Sequence, residues 1–170
     1  LVVIDKVQGT LTVSGNTALL NLDGLVNVAE AGSVLVESNT ILTNVDGLGG
    51  LREVGDLTIS SNPQLRDIEG LASLVVASGD VTLESNPLIE SVAGLESLRR
   101  IGGTLLIEAN DALVQIDALS NLRLVGTALT IKDNNALTSI QGLSGLIART
   151  AATVSGTASV GGSISPVTQQ

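Results

Sequence analysis

The chain has 170 residues, of which 44% are hydrophobic, and its 8 basic and 17 acidic side chains give a formal net charge of −9. It contains no Phe, Trp, Tyr, His, Cys or Met, so its core must be built from Leu, Val, Ile and Ala. Disulfides, zinc sites with Cys or His ligands and catalysis by a thiol or an imidazole are therefore excluded. The negative charge argues against a nucleic-acid partner.

The first residues indicate a processed or excised piece, because no Met opens the sequence. Leu1, Ile4 and Val7 align with apolar positions of the repeats described next, so we expect the chain to open in the middle of a repeat. No apolar run approaches the roughly 18 residues that a spanning helix needs, and no transmembrane segment is predicted.

One pattern then recurs along the chain at intervals of 23 or 24 residues. Aliphatic residues stand five and three positions before a recurring Asn, which is the period-two alternation of a strand. Further aliphatic residues stand three, six, nine and twelve positions after it. The Asn residues are Asn16, Asn39, Asn62, Asn86, Asn110 and Asn134. This period is too short for a pair of helices and predicts one coil of a β-solenoid with three short faces.

We expect about six coils over residues 1–149, stacked so that their aliphatic columns form one core and their strands pair in parallel about 4.8 Å apart. The coil should be right-handed, because parallel crossover connections nearly always are. The predicted fold class is therefore all-β, a right-handed parallel β-helix. A turn is predicted at the Gly that stands eight positions after most of the Asn residues, with Ala118 as the exception.

The Asn column is predicted to be a structural ladder. An amide inside the bend after a strand can pair with main-chain groups that the bend leaves free, and it can stack on the Asn of the next coil. A ligand-binding role would need six equivalent ligands. The ladder of Asn16, Asn39, Asn62, Asn86, Asn110 and Asn134 is thus the only predicted site, with no catalytic, cofactor-binding or metal-binding residue.

Two further columns are charged. Asp23, Asp46 and Glu69 stand seven positions after their Asn, where like charges must be screened by solvent and Arg or bridged by a cation, and the sequence leaves this choice open. Arg52, Arg99 and Arg123 recur elsewhere on the coil. No long insertion is available to wall an active-site cleft, so we expect no enzyme activity. The first strand carries Thr-x-Thr in one coil alone, which disfavours ice binding.

The pattern Gly-x-Leu-x-Ile-x-x-Asn-x-x-Leu-x-x-Ile spans Gly55 to Ile68 and again Gly103 to Ile116. It resembles the receptor L-domain repeat, which occurs in the ectodomains of insulin and epidermal-growth-factor receptors and in fungal cell-wall proteins. The resemblance implies a right-handed β-helix related to leucine-rich repeats, and it carries over no ligand residue. Leucine-rich repeats proper are the alternative, but they usually place the apolar residue two positions after the Asn.

Residues 150–170 carry no charge and are rich in Ser, Thr and Gly. Ala152, Val154 and Val160 hold core-like places and Thr157 stands where Asn is due, which predicts a degenerate coil or a tail. Such a segment either caps its own rod or adds as a strand to the open end of another molecule. Its hydroxyl side chains are candidates for O-linked sugar.

The expected function is a non-catalytic structural or interaction module of an extracellular or cell-surface protein. It would act as a rigid rod that binds protein, including copies of itself end to end in a filament. The alternative is a ligand-recognition module that binds a protein or a glycan on one sheet face.

Overall fold

The structure, a computed structural model, describes residues 4–147 and the backbone of residues 151–155. Within these residues the chain consists mainly of β-strands joined by bends and short 3-10 turns. The strands are β1 (Lys6–Ser14), β2 (Glu30–Glu37), β3 (Glu53–Ser60), β4 (Val76–Ala77), β5 (Val81–Glu84), β6 (Arg100–Ile101), β7 (Leu105–Glu108), β8 (Leu124–Val125), β9 (Ala128–Lys132) and β10 (Ala151–Ser155). The 3-10 turns are Asp23–Leu25, Asp46–Leu48, Glu69–Leu71, Asp117–Asn121 and Gln141–Leu143. The predicted all-β class is confirmed.

These strands form one parallel sheet, which confirms the predicted parallel pairing. The strand order is β10-β9-β7-β5-β3-β4-β6-β8, and β1 and β2 join it through β3. Each residue pairs with the one 23 or 24 positions later in the chain, as in Val34 with Leu57 and Leu105 with Leu129. The sheet is not closed. Between the strands of successive repeats, the described chain has the 3-10 turns and isolated parallel bridges of Ser91 with Gln115 and of Gln115 with Ser139.

One inserted residue divides the sheet into two branches. In β3, two residues separate Val54 from Leu57, but their partners Ala77 and Val81 in the next repeat are separated by three. The extra residue interrupts the strand, so β4 and β5 are separate where β3 is continuous. The following repeat keeps the longer spacing, and β6 and β7 pair with β4 and β5 respectively.

The core is a set of aliphatic columns between the sheet and the turns. In β5, Val81 and Leu83 are buried, whereas Thr82 and Glu84 between and after them are only half-buried. Every buried hydrophobic side chain in the described chain is Leu, Val, Ile or Ala, as the composition requires. In-register pairing places like residues over like residues, so each layer packs on a near copy of itself.

The recurring Gly lies inside a turn, as predicted, and in most repeats close packing between repeats also requires it. A Cβ at Gly47, Gly70 or Gly142 would overlap main-chain atoms of the preceding repeat, and none of these three residues has a positive φ. Gly24 lies in the first repeat and has open space around its Cβ position. The Gly column therefore permits close approach between repeats. Of the described residues in this column, Gly94 alone also has a left-handed φ, of 104°.

The last strand of the described chain is β10, Ala151–Ser155. β10 pairs in register with β9. It lies in the segment that the sequence predicts to be either a degenerate coil or a tail. Thr157 and Val160 lie outside the described residues.

No helix formed by residues 4–147 or 151–155 has the length and apolar character needed to cross a membrane.

A Phe in place of Leu83 tests how tightly the columns pack. Leu83 is 4% exposed and pairs with Ile59 and Ile107, so a ring has no free volume in its layer. We expect Leu83→Phe to lower the free energy of unfolding by about 1–3 kcal/mol in urea titrations. Leu106→Phe is the control, because Leu106 is half-buried on the outer side of β7. Equal stability of the two variants would contradict a tightly packed interior.

Candidate functional site: the asparagine ladder and its flanking columns

The six Asn residues of the predicted ladder lie one above another in successive repeats. Asn39, Asn62, Asn86, Asn110 and Asn134 are fully buried, whereas Asn16 in the first repeat is exposed. The side-chain oxygen of each buried Asn accepts the backbone N–H of the Asn in the preceding repeat at 3.0–3.2 Å. In most steps the same oxygen also accepts the preceding side-chain amide at 2.9–3.3 Å.

The Nδ2 groups tie the ladder to the strands. Asn86 Nδ2 donates to the carbonyl of Ile59 in the preceding repeat and to the carbonyl of Glu84, both at 2.9 Å. Asn62, Asn110 and Asn134 make the equivalent pair of bonds. No buried side-chain nitrogen or oxygen in the described chain lacks a partner. An amide is suited to this position because it offers two donors and an oxygen that accepts twice, whereas a carboxylate offers no donor.

A left-handed residue precedes every Asn of the ladder, and sequence reasoning missed it. The φ angles are 67° at Gly15, 56° at Ser38, 56° at Ser61, 55° at Ser85, 53° at Ala109 and 56° at Asp133. This conformation reverses the backbone after the strand and turns the following Asn inward. The signal in the sequence is a column of Gly, Ser, Ala and Asp without any β-branched residue, since β-branched side chains are strongly disfavoured at positive φ.

Replacing Asn86 with Leu tests whether the ladder stabilises the fold. The change removes the acceptor of the Asn62 N–H and the donor to the carbonyls of Ile59 and Glu84, and Leu restores none of these bonds. We expect the free energy of unfolding to fall by about 1–3 kcal/mol in thermal or urea denaturation. The control is Asn16→Leu at the exposed end of the ladder, which should cost less. An Asn86→Leu protein that melts with the parent would refute a stabilising ladder.

A second polar column runs from Ser33 in β2 and Asp56 in β3 to Asp80 and Thr104, which directly precede β5 and β7. Its hydrogen bonds are not apparent from the sequence. Asp56 accepts the backbone N–H of Asp80 at 2.9 Å, and Asp80 accepts that of Thr104 at 2.6 Å. Ser33 Oγ donates to Asp56 at 3.2 Å. Both Asp residues are exposed, so their carboxylates hold the strand register while they face solvent.

The predicted acidic column occupies the first position of the 3-10 turns. Asp23, Asp46 and Glu69 are exposed and make no ion pair within the described residues, whose ion pairs join Lys6 with Glu30 and Lys132 with Glu108. The predicted basic column is also exposed, and its member Arg123 donates to the carbonyl of Ser120 at 2.8 Å. Across the part of the chain that the structure describes, no three acidic side chains are grouped as a metal site.

Four of the five 3-10 turns in the described chain are capped by the side chain two positions before the first residue of the turn. Asn21 and Asn44 accept the N–H of Asp23 and Asp46, and Ser139 accepts that of Gln141, at 3.1–3.3 Å. Asp67 holds the same position in the third repeat and accepts the N–H of Glu69. Burial raises the pKa of the Asp67 carboxyl, and the nearby charge of Asp46 adds to the increase.

Asp67→Asn should therefore stabilise the protein in a pH-dependent way. The folded pKa lies above the ordinary value of 3.8, so ionised Asp67 penalises the folded state at neutral pH, and the penalty disappears as pH falls below the unfolded pKa. Asn keeps the oxygen that caps Glu69. We expect a higher midpoint of thermal unfolding than the parent at pH 7 and the same midpoint at about pH 3. The exposed Asp23→Asn serves as control, and a gain at both pH values would contradict the assigned cause.

Comparison of the chain with models of protein families, with curated proteins and with solved structures finds no match in any of the three. The resemblance of Gly55 to Ile68 to a receptor L-domain repeat stays a prediction.

Proposed function

We propose that the chain is a right-handed parallel β-solenoid that serves as a non-catalytic structural or interaction module of an extracellular or cell-surface protein. It would act as a rigid rod of the receptor L-domain-like class. The observation that carries the proposal is the buried ladder, because its bonds run from each repeat directly to the next. Bending or sliding one repeat against its neighbour would break several of these bonds together, so the stack is suited to holding its two ends at a fixed distance.

The strand arrangement supports a solenoid. The branch β5-β7-β9 and the branch β4-β6-β8 advance together by one repeat. The chain returns from one repeat to the next through 3-10 turns or, between β5 and β6, through ordinary turns. Parallel strands linked in this way nearly always have right-handed connections. At about 4.8 Å per repeat, the six repeats would form a rod roughly 29 Å long.

A non-catalytic role is supported by the composition and by the exposure of the acidic column. With neither His nor Cys in the sequence, acid and base chemistry would fall mainly to carboxylates. Asp23 and Asp46 are exposed, whereas acid–base catalysis by a pair of carboxylates works in a site that excludes water. The extracellular or cell-surface setting rests on the resemblance to receptor L-domain repeats.

End-to-end assembly is the second part of the proposal. Within the described residues, β1 pairs on one side with β2 and with no strand on the other. Leu11 and Val13 in β1 are only partly buried. An open strand edge next to aliphatic side chains is a pairing site for a strand of another molecule. A head-to-tail contact of this kind does not close and generates a filament.

Hydrogen exchange tests the rod. If the stack is one rigid unit, the backbone amides of Asn39, Asn62, Asn86 and Asn110 should exchange together in the slowest class, through global unfolding. Fast, independent exchange of these amides would overturn the rod. Turnover of a polysaccharide would overturn the non-catalytic role.

Light scattering and electron microscopy of the concentrated protein test assembly. We expect mass to increase with concentration and filaments of uniform width to form. Removing residues 150–170 should abolish the filaments while the slow amides are retained. A full chain that stays monomeric at high concentration would refute filament formation and leave the rod intact.

A further inference from the structure

The outer face of the sheet carries three parallel columns of side chains, on β2, β3, β5, β7 and β9 or directly before β5 and β7. The central column is uncharged and half-buried, and consists of Leu35, Thr58, Thr82, Leu106 and Thr130. The column before it consists of Ser33, Asp56, Asp80, Thr104 and Ala128, and the column after it of Glu37, Ser60, Glu84, Glu108 and Lys132. We call this surface the acidic face.

The charge of the acidic face is one-sided. It carries five carboxylates, Glu37, Asp56, Asp80, Glu84 and Glu108, and one ammonium, Lys132, so its formal charge is 1 − 5 = −4. Lys132 Nζ lies 2.7 Å from Glu108 Oε1, and this hydrogen bond raises the pKa of Lys132. The pair is thereby neutralised. The other four carboxylates make no ion pair within the described chain, and they flank the Thr and Leu column on both sides.

We propose that the acidic face binds an extended, cationic polypeptide segment whose basic residues are four positions apart. This rests on the interaction-module function proposed above and names the chemistry of its partner. Asp80 directly precedes β5 and Glu84 ends it, so along an extended backbone the two residues stand about 13 Å apart and alternate with the buried Val81 and Leu83. An extended segment laid along β5 has the same period, so its residues i and i+4 reach Asp80 and Glu84 while residue i+2 covers Thr82.

The acidic face is preorganised for such a ligand. The Asp80 carboxylate is fixed by the N–H of Thr104, and the Asp56 carboxylate by the N–H of Asp80 and the hydroxyl of Ser33. Charges already held in place lose little side-chain entropy when a cationic partner binds. A neutral glycan would leave these charges without partners, and a polyanion would be repelled.

The probe is a fluorescently labelled peptide of repeating Lys-Ser-Thr-Ser units, which places a lysine at every fourth position. Its affinity for the full chain is measured by fluorescence anisotropy at low and at physiological salt. The test variant is Asp80→Asn/Glu84→Gln, in which Asn keeps the oxygen that accepts the Thr104 N–H. The matched control is Asp23→Asn/Asp46→Asn, which removes the same charge from the acidic column at the turns. Thermal unfolding verifies that both variants are folded.

We expect the test variant to weaken binding roughly fivefold to tenfold and the control variant by less than about twofold. Equal weakening by both variants would overturn the inference, because the attraction would then belong to the whole negatively charged chain. If a peptide of the same composition but with adjacent lysines binds equally well, the proposed four-residue spacing is wrong. If the Lys-Ser-Thr-Ser peptide does not bind, the proposed site is wrong. Protected ladder amides in a chain that does not bind the peptide would show that this inference fails while the rod stands.

Discussion

The fold depends on one interaction, the hydrogen bond from the backbone N–H of an Asn to the side-chain oxygen of the Asn in the next repeat. Aliphatic packing supplies most of the stabilisation but has no directional preference, so columns of Leu, Ile and Val tolerate displacement by a neighbouring layer. The buried amides do not. A displaced Asn leaves carbonyls and N–H groups unpaired in a dry interior, and this cost selects one register among many apolar alternatives.

The ladder in turn requires a backbone that reverses just before each Asn. The left-handed residue at Ser85 or Ala109 provides the reversal, although a left-handed conformation costs an L-residue roughly 1–2 kcal/mol. That cost recurs in each described repeat after the first, where Gly15 holds this position, and it is tolerated because the Asn that follows pairs with main-chain carbonyl and N–H groups. The left-handed residue and the ladder therefore depend on each other, because the small side chains at the bend allow the amides to reach the interior.

The periodic part of this fold could be predicted from the sequence, and the local part could not. The aliphatic columns, the Asn column and the parallel pairing follow from residue spacing, because every repeat must bury the same side against the next. The change of spacing from 23 to 24 is visible between Asn62 and Asn86, but its position is not. It falls between Ala77 and Val81, where it separates β4 from β5, because that is where the repeat can admit a residue without shifting either aliphatic column.

The inward columns are fixed by the fold, so a binding function falls to the side chains of the outward columns. Inward positions are constrained by packing and by the ladder, so Leu83 and Asn86 are effectively set by the layers above and below them. Outward positions such as Thr82 and Glu84 meet solvent and are free of that constraint. Asp80 belongs to both sets, because its carboxylate fixes the next strand and also presents a charge at the surface. The register that the buried amides impose therefore also holds the surface carboxylates at regular positions. A partner that recognised the spacing of these carboxylates would depend indirectly on the ladder.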